Sequence, residues 1–116
     1  MDGVTIYLAK ALICFAQTCH PVLLGEDTAP GVYDMKVLWV ASPGYGPHVL
    51  EYDRAPDGSW FAIHQTFTGG RTDRSKLYAQ PASVRRRVTN GCPNVEPHVY
   101  QQIFNEHRFK KLTILP

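Results

Sequence analysis

The run Thr89-Asn90-Gly91-Cys92-Pro93-Asn94 sets a thiol directly after a glycine. A nucleophilic cysteine needs partial exposure, a lowered pKa and donors for the oxyanion that forms on attack. Gly91 allows a sharp turn and a close approach of a substrate carbonyl. Thr89 and Asn90 are short and polar, and can fix such a turn through side-chain to backbone hydrogen bonds. The N–H groups of Asn90, Gly91 and Cys92 can then converge on one oxygen, while Pro93, which lacks an N–H, stiffens the exit. The competing reading is a cysteine in a tight turn that merely packs. A thiol also needs a base. Of the five histidines, His64 ends the apolar run Trp60-Phe61-Ala62-Ile63, so a rigid element can hold its ring. His20 sits in a turn, His48 in a Pro/Gly loop where it stays open as a pocket residue, and His98 and His107 on or beside a late helix.

Arg85-Arg86-Arg87, with Arg71, Arg74 and Lys76 upstream, makes the chain before Cys92 locally basic. Such a run is either a solvated rim or a site for substrate carboxylates that also favours the thiolate. The formal charge of +2, from 12 basic and 10 acidic residues, is too balanced to indicate nucleic acid, which calls for a concentrated basic footprint. The basic run is short and no aromatic-rich strand is interleaved with it. Neither CxxC nor HExxH occurs, so no metal site is expected. Three cysteines give no even-numbered disulfide framework. Cys14 and Cys19 can pair only by straining a probable hairpin, so both are read as ordinary small side chains.

These residues need a scaffold, and the sequence supplies a strand-rich one. At 116 residues and 44% apolar content the chain suits a single folded domain over 1–116. Val4 to Leu8 alternates as a short strand and Ala9 to Phe15 is a second apolar run. Gln17 to Pro21 reads as the turn, after which Val22-Leu23-Leu24 resumes. Val32 to Val40 is a further apolar run, and Ser42 to Pro47 reads as a loop. Val49 to Tyr52 and Trp60 to Ile63 flank Ala55-Pro56-Asp57-Gly58-Ser59 as a hairpin. Thr68 to Ser83 is polar and aperiodic, a long surface excursion with a helical turn near Ser75 to Ala79. Pro97 opens a helix to about His107 with Val99, Ile103 and Phe104 on one face. Leu112 to Leu115 is a last strand. No stretch approaches the roughly 18 apolar residues needed to span a bilayer, and Met1-Asp2-Gly3 does not begin a secretion signal.

Taken together, Ile63-His64 and Arg87-Val88-Thr89-Asn90-Gly91-Cys92-Pro93-Asn94 resemble the signature of the L,D-transpeptidase (YkuD-like) catalytic domain. That signature has a histidine at a strand end, then Ser/Thr-His-Gly-Cys, a variable residue, and Asn or Arg. Thr28-Ala29-Pro30-Gly31-Val32-Tyr33 is similar to the family's Thr-Pro-x-Gly-x-Tyr/Phe segment, so the resemblance covers nearly the whole chain. It implies a mainly β, sandwich- or barrel-like domain with a helix after the cysteine. It also implies the chemistry. Cys92, with His64 as base, attacks a carbonyl in the stem peptide of peptidoglycan, and backbone N–H groups near Gly91 hold the oxyanion. An acceptor-stem amine resolves the thioester into a cross-link, or water hydrolyses it. No cofactor is required, carbapenems acylate the cysteine, and the place of work is the periplasm or cell wall, with no export signal among these residues. Thr89 orients the loop, Asn94 braces it, Arg87 contacts a carboxylate or packs on the sheet edge, and these three with Thr66 are the substrate contacts the resemblance implies.

Two departures stand out. Asn90 replaces the family's histidine before Gly-Cys, and Cys92 follows His64 by 28 residues (92 − 64), an unusually long interval whose excess falls in the polar excursion. Three other readings remain: a cysteine peptidase or carboxypeptidase on the same fold, a non-catalytic wall-binding module, and a toxin-like wall-modifying effector.

Overall fold

The structure, a computed structural model, describes residues 3–42, 46–66 and 73–116. The centre of the Pro/Gly loop (43–45) and the start of the polar excursion (67–72, including Arg71) lie outside the described residues. Val4–Tyr7 (β1) turns Val4 and Ile6 inward and pairs antiparallel with Leu12–Phe15 (β2). β2 returns as Thr18–Pro21 (β3). The expected turn at Gln17 to Pro21 is therefore corrected. The turn is Ala16-Gln17, both left-handed at φ 50° and 64°, a two-residue connection whose twist suits a hairpin. Pro21 ends an edge strand, where its missing N–H breaks little of the ladder.

This register also corrects the reading of the cysteines. Cys14 and Cys19 are direct cross-strand partners and form a disulfide across a Cα–Cα distance of 4.1 Å. The tight turn, and not a distortion of the chain, brings the two side chains to one face. Because the two cysteines are only 5 residues apart in sequence, the bond closes a short loop and constrains the unfolded chain weakly. Replacing both cysteines by serine is expected to lower unfolding stability by no more than about 2 kcal/mol, read by urea titration. A larger loss would show that the disulfide holds more than the hairpin.

Lys111–Leu115 (β9) lies between β1, to which it is parallel, and Gly31–Asp34 (β4), to which it is antiparallel, giving the order β3-β2-β1-β9-β4. The apolar run Val32 to Val40 breaks at buried Met35. Beyond it Lys36–Ser42 (β5) belongs to a second sheet with Gly46–Arg54 (β6), Trp60–Gln65 (β7) and Asn94–Val95 (β8), in that order. Ser42 and Gly46 pair as the ends of β5 and β6, so the strands extend into both ends of the expected loop. Ala82–Arg85 (α1) is a short helix. Pro97–His107 (α2) starts on proline, whose missing N–H costs nothing there, and buries Val99, Tyr100 and Ile103. Both sheets and α2 share one core with Ile6, Ile13, Leu50, Ile63, Ile103 and Leu112. The architecture is the expected one: mainly β, two mixed sheets, and a helix after Cys92.

The segment after β3 positions the cysteine loop. Leu23 and Asn94 exchange both backbone hydrogen bonds, at 2.9 and 2.8 Å. The Leu24 carbonyl accepts from Val88 and Thr89 N–H at 2.8 and 3.0 Å. A chain stretch with few polar side chains thus clamps the cysteine loop by backbone alone, through groups that burial obliges to pair.

Candidate active site

β7 and β8 run parallel with His64 beside Asn94. Cys92 lies in the loop two residues before Asn94, and the Pro93 carbonyl between them accepts the His64 N–H at 3.1 Å. The cysteine loop is built from hydroxyls. Thr89 Oγ1 accepts the Gly91 N–H at 3.1 Å. Thr28 Oγ1 donates to the Gly91 carbonyl at 2.8 Å and accepts the Gly25 N–H at 3.2 Å. Gly91 stands at φ 124°, and a Cβ there would lie 2.7 Å from the Phe61 ring. Glycine is therefore required both by conformation and by space. Of the three N–H groups expected to face an oxyanion, that of Gly91 is thus already engaged by Thr89 Oγ1.

The Cys92 thiol is half-buried, and its Sγ–H donates to the Trp60 carbonyl at 3.7 Å. Burial pushes its pKa up, with a backbone hydrogen bond from Ala62 opposing. Of the two readings of the basic segment, Arg85 and Arg87 fit the rim. Arg85 turns its guanidinium onto the carbonyls of Lys10, Ala11 and Gln80, and Arg87 is an exposed rim residue 3.9 Å from Glu26. Tyr52, on β6, carries a buried hydroxyl without a partner among the described residues. Burial raises its pKa, and the neighbouring Cys92 raises it further, so this hydroxyl lies within electrostatic reach of the thiol.

His64 is buried. Its Nδ1 lies 3.0 Å from the Gln65 carbonyl and its Nε2 3.2 Å from Asn94 Nδ2. Asn94 Nδ2 also reaches the Cys92 carbonyl at 3.1 Å, so one buried amide joins the ring to the cysteine loop. Asn94 Oδ1 receives Arg74 Nη1 at 2.9 Å. Burial lowers the His64 pKa; the Gln65 carbonyl opposes this and the Arg74 charge adds to it. Both shifts favour the neutral form of each group, the thiol of Cys92 and the imidazole of His64. A histidine whose folded pKa lies below its ordinary 6.5 favours the folded state fully above that value. It loses this contribution as pH falls from 6.5 through the depressed value. Urea titrations from pH 7.5 to 4.5 are expected to show less acid destabilisation in His64→Gln than in the wild type. Equal slopes would mean that His64 is not held neutral.

The other candidates are placed as follows. Thr66 is buried, its hydroxyl engaged by the Val95 carbonyl at 3.0 Å and by Tyr78, so it joins the 3₁₀ helix Ser75–Ala79 to β8. Asn90 is exposed and, with Thr89, Arg87, Glu26 and Asp27, lines a cleft of about 240 Å³. His48 belongs to a separate aromatic cluster, stacked on Phe104 at 3.8 Å with Trp39 and Tyr100 around it. Arg74, Tyr52 and Thr28 stand in the site without having been singled out for it. Arg74 was noted only as one cation of a basic segment and Thr28 only as part of a resemblance, and no sequence signal marked Tyr52 at all.

No family model and no curated protein matches the sequence. Solved structures do match its fold. An L,D-transpeptidase from Stackebrandtia nassauensis superimposes with a TM-score of 0.67 at 14% identity, over 98% of this chain and 55% of that one. L,D-transpeptidase 1 of Mycobacterium tuberculosis gives 0.58 at 12% identity, over 99% and 60%. An LD transpeptidase in complex with imipenem gives 0.59 at 13%, over 97% and 57%. The fold is that of the L,D-transpeptidases. This chain spans between about half and three-fifths of the length of those structures.

Proposed function

We propose that this chain is the catalytic part of a peptidoglycan L,D-transpeptidase, with Cys92 as nucleophile and His64 as base. The supporting observation is the buried Asn94 amide, which ties the His64 ring to the Cys92 loop on a fold shared with such enzymes. His64 takes the thiol proton, and the sulfur forms a bond to a stem-peptide carbonyl carbon. The N–H groups of Asn90 and Cys92 face the developing oxyanion. Collapse breaks the C–N bond, and the leaving amine takes the proton back from His64. An acceptor-stem amine then attacks the thioester, forms the new amide and releases the thiol. Thr89 braces the loop, while Asn90 and Arg87 line the approach. Such a reaction takes place in the periplasm or cell wall.

The test is intact-mass analysis after incubation with a carbapenem, together with chromatography of muropeptide products. A single adduct on Cys92 and cross-linked dimers are expected, and both should vanish in Cys92→Ala. Trimmed monomers without dimers would replace transfer by hydrolysis. Wall binding by a wild-type protein that forms no adduct would replace catalysis by a binding module.

A further inference from the structure

The described part of the polar excursion is not a surface loop throughout. Its Arg74 side chain turns inward onto Asn94, a residue 99% shielded from solvent. Donor and acceptor chemistry then assigns a direction to each of these contacts. A guanidinium can only donate, so the Asn94 atom it meets at 2.9 Å must be the oxygen. The amide nitrogen is left facing His64 Nε2 at 3.2 Å and the Cys92 carbonyl at 3.1 Å. A carbonyl can only accept, which agrees with that orientation. His64 Nε2 must therefore accept and carry no proton, and the ring proton sits on Nδ1, where it donates to the Gln65 carbonyl at 3.0 Å. Were the amide reversed, its oxygen would face the Cys92 carbonyl, acceptor against acceptor, and would demand a proton on His64 Nε2.

We infer that Arg74 is a positioning residue, which acts through Asn94 to keep the basic lone pair of His64 on Nε2, toward the cysteine loop. Which ring nitrogen carries the proton is set by the bond that the other nitrogen makes. Here the Gln65 carbonyl takes the Nδ1 proton, and Arg74, a cation that cannot be deprotonated, reinforces that choice from the other side through Asn94. The same cation opposes formation of an imidazolium. Among the described residues, the other titratable groups about this end of β7 are the Cys92 thiol, the Tyr78 hydroxyl bonded to Thr66, and Glu96, whose charge opposes that of Arg74 at Tyr78. The consequence for rate rests on the proposed role of His64 as base, whereas the tautomer does not.

Long-range ¹H–¹⁵N spectra of the His64 ring test this directly. The wild type is expected to show a protonated Nδ1 and an unprotonated Nε2 at pH 7.5. In Arg74→Met, protonation should shift toward Nε2 and the titration midpoint of His64 should rise. Arg74→Lys, with one donor restored, should lie between the two. Carbapenem acylation of Cys92 should slow by roughly 10- to 100-fold in Arg74→Met, with its pH profile displaced in the same direction as the His64 midpoint. Asn94→Asp keeps a partner for Arg74 but presents only acceptors to the ring, so it should protonate Nε2 as well, and it provides a second route should Arg74→Met not fold. Wild-type tautomer and midpoint in Arg74→Met, or in Asn94→Asp, would overturn the inference. If the wild type resists acylation altogether, the function proposed above fails, and the ring spectra still decide the role of Arg74.

Discussion

His64→Gln is expected to slow acylation of Cys92 at pH 7.5 by roughly 10²- to 10⁴-fold, the range over which a positioned base acts. The residual rate should climb steeply with pH. In many cysteine enzymes a low thiol pKa supplies the nucleophile before substrate arrives. Here burial moves the thiol above its ordinary 9.0 and the imidazole below its ordinary 6.5. At neutral pH the proton therefore rests on sulfur, and in the proposed reaction it passes to His64 as the carbonyl is attacked. The wild type should lose rate as His64 becomes protonated below pH 6.5. Without the base, only the free thiolate reacts, and its population rises tenfold per pH unit up to a midpoint above 9. Gln retains an oxygen that can accept the Asn94 amide, so the exchange removes the base with little disturbance of the loop. Alkylation of Cys92 by iodoacetamide offers a readout free of any assumption about substrate. A midpoint near pH 6 in the wild type would show a resting thiolate and overturn this account.

What was legible depended on how local the determining physics is. The β6–β7 hairpin followed from two apolar runs around Pro56-Asp57-Gly58, and α2 from a proline at its first position and a 3.6-residue period. β3 was not legible, because Thr-Cys-His-Pro resembles a turn and the real turn places Ala16 and Gln17, not glycine or asparagine, in left-handed conformation. The Cys14–Cys19 disulfide was misread for the same reason, since its feasibility depended on that register. In the site, Cys92 and His64 were marked by type and by neighbours in sequence. The sign of their pKa shifts was not, because desolvation is set by what packs around them and here it outweighs the charges nearby. Arg74 could not be told from its basic neighbours. Its distinction is a partner 20 residues away, reached only once β7 and β8 are side by side.

Gly25→Ala is expected to be the most damaging single-methyl change in the loop scaffold, lowering unfolding stability by roughly 3 kcal/mol and the melting temperature by about 10 °C or more. A Cβ at Gly25 would lie 2.2 Å from the Thr89 carbonyl oxygen and 2.6 Å from the Gly91 nitrogen. Both are backbone atoms, so no rotamer change can relieve the overlap. The backbone that must retreat is the one held by Val88 and Thr89 N–H on the Leu24 carbonyl and by Thr28 on the Gly91 carbonyl. Each of these bonds is shielded from water and costs more to break than to have never formed. Retreat of residues 89–91 also carries the Cys92 N–H away from the oxyanion position. Acylation should therefore fall further than the loss of folded protein explains, under conditions where Gly25→Ala remains folded. By contrast, Gly58→Ala meets no atom within 4 Å and involves only its left-handed φ of 91°. It should lose some stability and leave the acylation rate of the folded protein unchanged. Equal rates for folded Gly25→Ala and Gly58→Ala would show that contact between the residue 25 turn and the cysteine loop does not position Cys92.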